Sequence, residues 1–181
     1  MHQDNLASKH ILVVGDTMLD RYWFGDANRI SPEAPVPVVR IQRCDQRLGG
    51  AANVALNIRS LGLKASLMTV IGNDEPGRIV TRLLKNAGIG TMLHIDGELS
   101  TTVKLRIVAR QQQMLRADFE NHPNNEVLAA LLGDYETTVA GVDAVVLSDY
   151  GKGGLDHIKQ MIAEARRHGK PVLIDPKGNA Y

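Results

Sequence analysis

Apolar positions along the chain follow two alternating periods. Residues His10 to Val14 carry the unbroken run Ile-Leu-Val-Val, which reads as a short buried strand ending at Gly15. From Ala51 the period changes. Ala51, Ala52, Ala55, Ile58 and Leu61 fall near i, i+3, i+4 and i+7, the buried face of a helix opened by Gly49-Gly50. Lys64 to Ile71 reads as the next strand. Asn73-Asp74-Glu75-Pro76 then starts a helix with Asp74 as its cap. Ile79, Val80, Leu83, Leu84 and Ala87 form its apolar stripe, and Gly88 ends it. Asn124 to Val139 is helical in pattern, and Asp143 to Leu147 is a clear buried strand. Leu155, Ile158, Met161, Ile162 and Ala165 outline a further helix that stops at His168-Gly169, followed by a strand over Pro171 to Ile174. Strand alternating with helix predicts an α/β fold, a mostly parallel sheet covered by helices on both faces.

Two stretches break this rhythm. Tyr22, Trp23 and Phe24 supply three of the seven aromatic residues, and Pro32, Pro35 and Pro37 follow closely. Proline blocks central-strand pairing, so Val36 to Ile41 is expected to be an edge strand or a projecting hairpin; a proline-stiffened loop is the plainer alternative. Further on, Val103, Leu105 and Ile107 alternate with Lys104 and Arg106. The polar turn Arg110-Gln111-Gln112-Gln113 then lets Met114 to Ala117 return antiparallel, carrying Arg116.

Composition narrows the classes. A chain of 181 residues with 44% hydrophobic content suits one domain with a sizeable core, and a net charge of +1 argues against a nucleic-acid footprint. The single Cys44 excludes an internal disulfide and a cysteine-built metal site, and a reducing cytoplasm is the simple reading. No apolar run is long enough to span a membrane, and Met1-His2-Gln3-Asp4-Asn5 lacks the start of a signal peptide. The six histidines show no metal-ligand spacing. Gly169-Lys170 is followed by Pro171, so it is not a P-loop; no G-x-G-x-x-G follows the first strand, and no G-x-S-x-G occurs.

The candidate chemistry lies where strands end, because open α/β sheets bind ligands beyond the carboxyl ends of their strands. That rule singles out Asp16 and Asp20, then Asp149 and Lys152 in the run Ser148 to Gly154, then Asp175 and Lys177. An Asp in such a place also serves as a turn cap, and a Lys as a solvated charge. Gly49 and Gly50 let a ligand approach the helix backbone. The N-terminal N–H groups and the Asn53 amide suit an anion or a hydroxyl-rich molecule, against the equal alternative of an ordinary cap with an alanine packing face. Lys104, Arg106 and Arg116 form a basic face. Such a face is most often simply solvated, although paired donors of this kind also suit a phosphate-bearing ligand.

The order Gly49-Gly50-Ala51-Ala52-Asn53-Val54-Ala55, then Gly62 and Gly72, resembles the N-terminal signature of the ribokinase-like (PfkB) carbohydrate kinases. Four more stretches are similar to the branch of that family that phosphorylates heptose 7-phosphate. They are Gly15-Asp16-Thr17-Met18-Leu19-Asp20-Arg21-Tyr22-Trp23, the run 29–38, Leu147-Ser148-Asp149-Tyr150-Gly151-Lys152-Gly153 and Ile174-Asp175-Pro176-Lys177-Gly178. The resemblance implies a ribokinase-like sheet with a small β lid around residues 21–41 that covers the sugar and joins a homodimer. It implies transfer of the ATP γ-phosphate, with Mg2+, to the anomeric hydroxyl of D-glycero-D-manno-heptose 7-phosphate, a cytoplasmic step toward ADP-heptose and lipopolysaccharide core. Asp20, five residues after Gly15, holds the place of the acid that binds sugar hydroxyls and is favoured over Asp16. Asn53 and Asp149 would help orient the sugar. Lys104 and Arg106 would hold its distal phosphate, with Arg116 and Lys152 as further candidates, while Lys177 would face nucleotide phosphate and Asp175 act near magnesium through water.

The family's Asn-x-x-Glu segment organises magnesium, and its Gly-Ala-Gly-Asp segment supplies the catalytic base. The sequence reaches Tyr181 without either. The expectation is therefore the front part of a kinase domain. It would hold the sugar side of the site, with no catalytic residue, no metal ligand, the C-terminal half of the fold absent, and no activity alone. The alternatives are another sugar kinase of this fold, or a non-catalytic sugar-phosphate-binding or dimerisation fragment.

Overall fold

The computed structural model describes residues 7–177, so Met1 to Asn5 and the Gly178 of the last motif lie outside the described residues. In chain order the elements begin with β1 (His10–Gly15), β2 (Thr17–Ile30), β3 (Pro37–Gly50), α1 (Ala51–Ser60), β4 (Lys64–Gly72) and α2 (Glu75–Asn86). They continue with β5 (Gly90–Asp96), β6 (Val103–Ala109), β7 (Gln112–Phe119), α3 (Asn125–Thr138), β8 (Ala144–Ser148), α4 (Ile158–Arg167) and β9 (Val172–Asp175).

Five strands form a parallel sheet in the order β5-β4-β1-β8-β9. Alternation within β1 sends Val13 toward α1 and α2, where it packs with Leu67, Ala51, Ala55, Val80 and Leu84. Leu12 and Val14 point the other way, against Leu131 and Tyr135 of α3 and Met161 of α4. Both faces of the central strand β1 are buried, which is why it reads as an unbroken apolar run, whereas the edge strands β5 and β9 are exposed or half-buried along most of their length. Tyr135 is fully buried and donates its hydroxyl to the Met161 carbonyl at 2.9 Å, tying α3 to α4; burial pushes its pKa up to about 12. Asp74 caps α2 as expected, accepting the Gly77 N–H at 2.8 Å.

The other four strands form a second sheet, β3-β2-β6-β7, in which β2 pairs antiparallel with β3, parallel with β6, and β6 pairs antiparallel with β7. The hairpin expected around 21–41 is real but larger. It runs from Thr17 to Gly50, with Pro32 and Pro35 in its turn, and β6 and β7 extend the sheet. The edge strand was expected to end at Ile41; it continues to Gly50. Gln42, Arg43, Asp45, Gln46 and Arg47 are polar on both sides because an edge strand exposes both, so no two-residue period marks it. Strand β5 was not expected at all. It is a half-exposed edge of the parallel sheet, interrupted by His94 and ending at Asp96, with Ile95 52% exposed.

The opening of α1 also differs from expectation. Gly50 adopts φ 59°, and a Cβ there would lie 2.3 Å from the Asp16 carbonyl oxygen. That carbonyl accepts the Ala51 N–H at 2.9 Å, so one helix-end donor expected to face a ligand is used by the backbone.

Candidate functional site

The first group of candidate residues lies on one face of the second sheet. Asp20 stands opposite Arg47 across β2–β3 and opposite Lys104 across β2–β6, and Lys104 stands opposite Asp118. Two residues along each strand, Tyr22 stands opposite Asp45 and Arg106, and Arg106 opposite Arg116. Cross-strand partners two apart share a face, so these side chains form a charged grid around one aromatic ring, alternating along the row Arg47-Asp20-Lys104-Asp118 and like-charged where Arg106 meets Arg116.

Within the grid, Arg106 Nη1 donates to Asp20 Oδ1 at 2.5 Å. Burial works against the Arg106 charge, yet the hydrogen bond and charge of Asp20 carry its pKa above the usual value. Lys104 Nζ lies 3.6 Å and Arg116 Nε 3.0 Å from the Asp118 carboxylate. Burial would raise the Asp118 pKa, but these two cations hold it below the ordinary range. The guanidinium groups of Arg47 and Arg106 lie 4.7 and 5.1 Å from the Tyr22 ring centre, within cation–π range.

A cleft of about 430 Å³ opens beside this face, with Asp20, Tyr22, Arg47 and Asn53 on its polar side and Leu56, Leu83 and Ala87 on its apolar side. Gly49 lies beneath Asp20: a Cβ there would sit 2.5 Å from Asp20 Oδ2 and 2.7 Å from Met18 Cγ. The structure thus brings together Asp20, Asn53 and Gly49, and couples Arg106 to Asp20. Lys104 and Arg116 share the sheet face, but both are engaged with Asp118.

The second group surrounds the carboxyl ends of β1, β8 and β9. Asp16 is 5% exposed. Its Oδ2 accepts the N–H groups of Tyr150 and Lys152 and its Oδ1 that of Gly154, each at 2.9 Å. Burial is the main influence on Asp16, and it holds the carboxyl above the ordinary range despite those donors. Both oxygens are spent on the backbone, so Asp16 in this state staples the 149–154 loop. Asp149 Oδ1 accepts the Gly151 N–H at 2.7 Å, and its own N–H donates to the Asp175 carbonyl at 2.9 Å. Lys152 Nζ lies 2.5 Å from Glu120, whose pKa it lowers by that hydrogen bond. Lys177 passes over Gly151, its Cδ 3.0 Å from where a Cβ would be.

This edge offers one further amine, Lys177, near the strand ends that carry Asp149 and Asp175. Among the described residues no group of three His, Cys, Asp or Glu side chains could hold a metal ion. A magnesium triphosphate needs more positive charge and more oxygen ligands than that, so the described residues do not by themselves fit the nucleotide.

Sequence reasoning missed Arg47, Asp118 and Glu120, and took Tyr22 only as a lid aromatic. The two-residue spacing of Asp45 and Arg47 was the available signal, but only the hairpin register puts Arg47 opposite Asp20.

Residues 8–180 match the family described as pfkB family carbohydrate kinase. The chain belongs to that family. It is similar to the D-beta-D-heptose 7-phosphate kinase of Bordetella bronchiseptica, 51% identical over 178 residues, which are 98% of this chain and 57% of that protein. It is also similar to the bifunctional protein HldE of Stutzerimonas stutzeri, 53% identical over 171 residues, 94% of this chain and 36% of that one. The chain therefore spans little more than half of the first and about a third of the second. A possible 1-phosphofructokinase from Thermotoga maritima has the same fold with a TM-score of 0.75 at 20% identity, over 93% of this chain and 53% of that one. The ribokinase-like fold implied by the glycine signature is thus the observed one. No helix among the described residues is long and apolar enough to cross a membrane.

Proposed function

We propose that this chain supplies the acceptor side of an ATP- and Mg2+-dependent kinase that phosphorylates the anomeric hydroxyl of D-glycero-D-manno-heptose 7-phosphate. The observation that carries the reading is one cleft lined by Asp20, Asn53, Tyr22 and Arg47, with Arg106 bonded to Asp20 beside it. Asp20 accepts hydrogen bonds from sugar hydroxyls, Asn53 both donates and accepts, and the arginines present paired donors to the distal phosphate. Phosphoryl transfer depends mainly on positioning and electrostatic stabilisation, and positioning the acceptor is what this cleft is built to do. The catalytic base and most nucleotide contacts come from outside residues 7–177. Names of the relatives support the heptose 7-phosphate assignment over other sugar kinases of this fold.

The reading extends to a cytoplasmic homodimer joined through the lid. On the sheet face opposite the charged grid, Trp23, Ile107 and Leu115 are cross-strand partners, and Phe119 stands at the end of a row whose Leu19 and Val103 are already buried in the core. Phe119 and Leu115 are 56% and 55% exposed, and Trp23, Leu105 and Phe119 line a further cleft of about 300 Å³. An apolar face of this kind suits a protein partner, and a second lid is the partner with matching chemistry.

A panel of sugars and sugar phosphates offered with MgATP to the full-length protein tests the reading. Heptose 7-phosphate is expected to give the highest kcat/KM; a higher value for a pentose or a hexose phosphate refutes it.

A further inference from the structure

Two acids grip the loop that follows β8, and they come from different parts of the fold. Asp16, just past β1, takes the backbone: its carboxylate accepts the N–H groups of Tyr150, Lys152 and Gly154 at 2.9 Å each. Glu120 takes a side chain. Lys152 Nζ lies 2.5 Å from Glu120 Oε2, with the lysine side chain 15% and the glutamate 37% exposed. An ammonium buried to that degree is costly to leave without a partner, so Glu120 decides where it sits. Lys152 is thus held twice, its N–H by the end of the parallel sheet and its amine by the residue that follows β7.

Glu120 is itself placed by the second sheet. Phe119, the last residue of β7, stands opposite Val103; the next pair along is Asp118 with Lys104, and Lys104 stands opposite Asp20. Beyond its bond to Lys152, the Glu120 carboxylate feels the charges of Lys104 and Asp118, so it lies beside the row that contains Asp20. The segment after it is fixed as well. Asn121 Oδ1 accepts the Ser100 N–H and Asp96 Oδ2 the Asn124 N–H, each at 2.9 Å. His122 closes onto the loop: a Cβ on Gly153, which adopts φ 89°, would lie 2.8 Å from His122 Nδ1.

We propose that Lys152 is a positioning residue: through Glu120 it ties the loop that carries Asp149 to the sheet that carries Asp20, and so sets the separation of the two acids that orient one acceptor sugar. This rests on the reading of Asp20 and Asp149 as sugar-orienting groups. Asp149 Oδ1 accepts the Gly151 N–H at 2.7 Å, so its placement depends on the same loop. Phosphoryl transfer draws its rate from placing the acceptor, and a displacement of about 1 Å costs on the order of 10²-fold. Lys152 acts here without touching the sugar, because its amine is engaged with Glu120.

The test uses the full-length protein with MgATP and heptose 7-phosphate, in Glu120→Gln, Lys152→Met and the two combined. Each single variant is expected to lower kcat/KM for the acceptor by about tenfold or more, mainly through kcat, since a misplaced sugar still binds. The double variant is expected to lose no more than the worse single one, because the same link is broken once. Lys152→Arg is expected to recover most of the loss. If Lys152 instead contacts the substrate directly, Glu120→Gln frees the amine and leaves kcat/KM unchanged or raised; that result overturns the proposal, as do additive losses or a loss carried by KM alone. Amide exchange without substrate supplies a second readout. Exchange at Gly151 is expected to quicken in both single variants while exchange at Val13 in β1 stays as in the wild type; unchanged exchange at Gly151 also overturns the link. Should the wild type prefer another sugar, the heptose reading falls, and the same variants measured on that sugar decide the link by itself.

Discussion

Asp16→Ala separates a structural staple from a substrate ligand. The wild-type carboxylate accepts the N–H groups of Tyr150, Lys152 and Gly154 at 2.9 Å each. Truncation leaves all three without that partner. Gly154 is buried, so its N–H bears most of the cost of an unmade bond, about 1–3 kcal/mol. Tyr150 and Lys152 are half-buried and regain water, so each adds less, and the total loss comes to about 2–4 kcal/mol. The pH dependence has a definite sign. Burial raises the folded pKa of Asp16, so its contribution is fullest below the ordinary Asp range and declines as pH rises through the folded value. The stability gap between wild type and variant is therefore expected to be widest below the ordinary Asp range and to narrow as pH rises above it. Urea denaturation of the full-length protein measures the loss, and amide exchange at Tyr150, Lys152 and Gly154 locates it. Abolished kinase activity with unchanged stability and unchanged exchange would place Asp16 among the substrate ligands and refute the staple.

Asp20→Ala in the full-length protein is expected to remove useful turnover, since it loses charge-assisted hydroxyl contacts worth roughly 1.5–3 kcal/mol each, while Asn53→Ala is expected to cost less; wild-type-like kcat/KM in Asp20→Ala counts against the site. Gly49→Ala would set a Cβ 2.5 Å from Asp20 Oδ2, and is expected to raise KM for the acceptor and cost about 1–3 kcal/mol of stability; unchanged kinetics would show that Asp20 moves freely. Trp23→Ala is expected to make the dimer dissociate at higher protein concentration in sedimentation, and a wild-type protein that is monomeric at micromolar concentration would defeat the interface. The depressed pKa values of Glu120 and Asp118 mean that their ion pairs stabilise above the ordinary carboxylate range and are lost as pH falls through the folded values. Lys152→Met is therefore expected to flatten the acid limb of the stability profile, and an unchanged limb would show that the Glu120 pair contributes nothing.

The centre of the parallel sheet was legible because β1, β4 and β8 are largely buried on both faces and the helices on one. Val13 and Leu12 face opposite cores, and runs of that kind announce themselves in sequence. The cap at Asp74, the helix after Gly49-Gly50 and the antiparallel return after Arg110 are local events, fixed by residues within a few positions of one another. Strand β5 and the second half of β3 were not legible, because edge strands need no regular burial pattern. The site divides the same way. Asp20, Asn53 and Gly49 were singled out by local patterns, and the structure puts Asp20 and Asn53 on one cleft with Gly49 packed against Asp20. Which cation meets which carboxylate was beyond the sequence. Arg106 binds Asp20, 86 positions away, and Asp16 holds a loop 134 to 138 positions away, because two chain crossovers set the strand register. Charge partners follow from register, and register is decided by how the whole sheet packs rather than by any one stretch of residues.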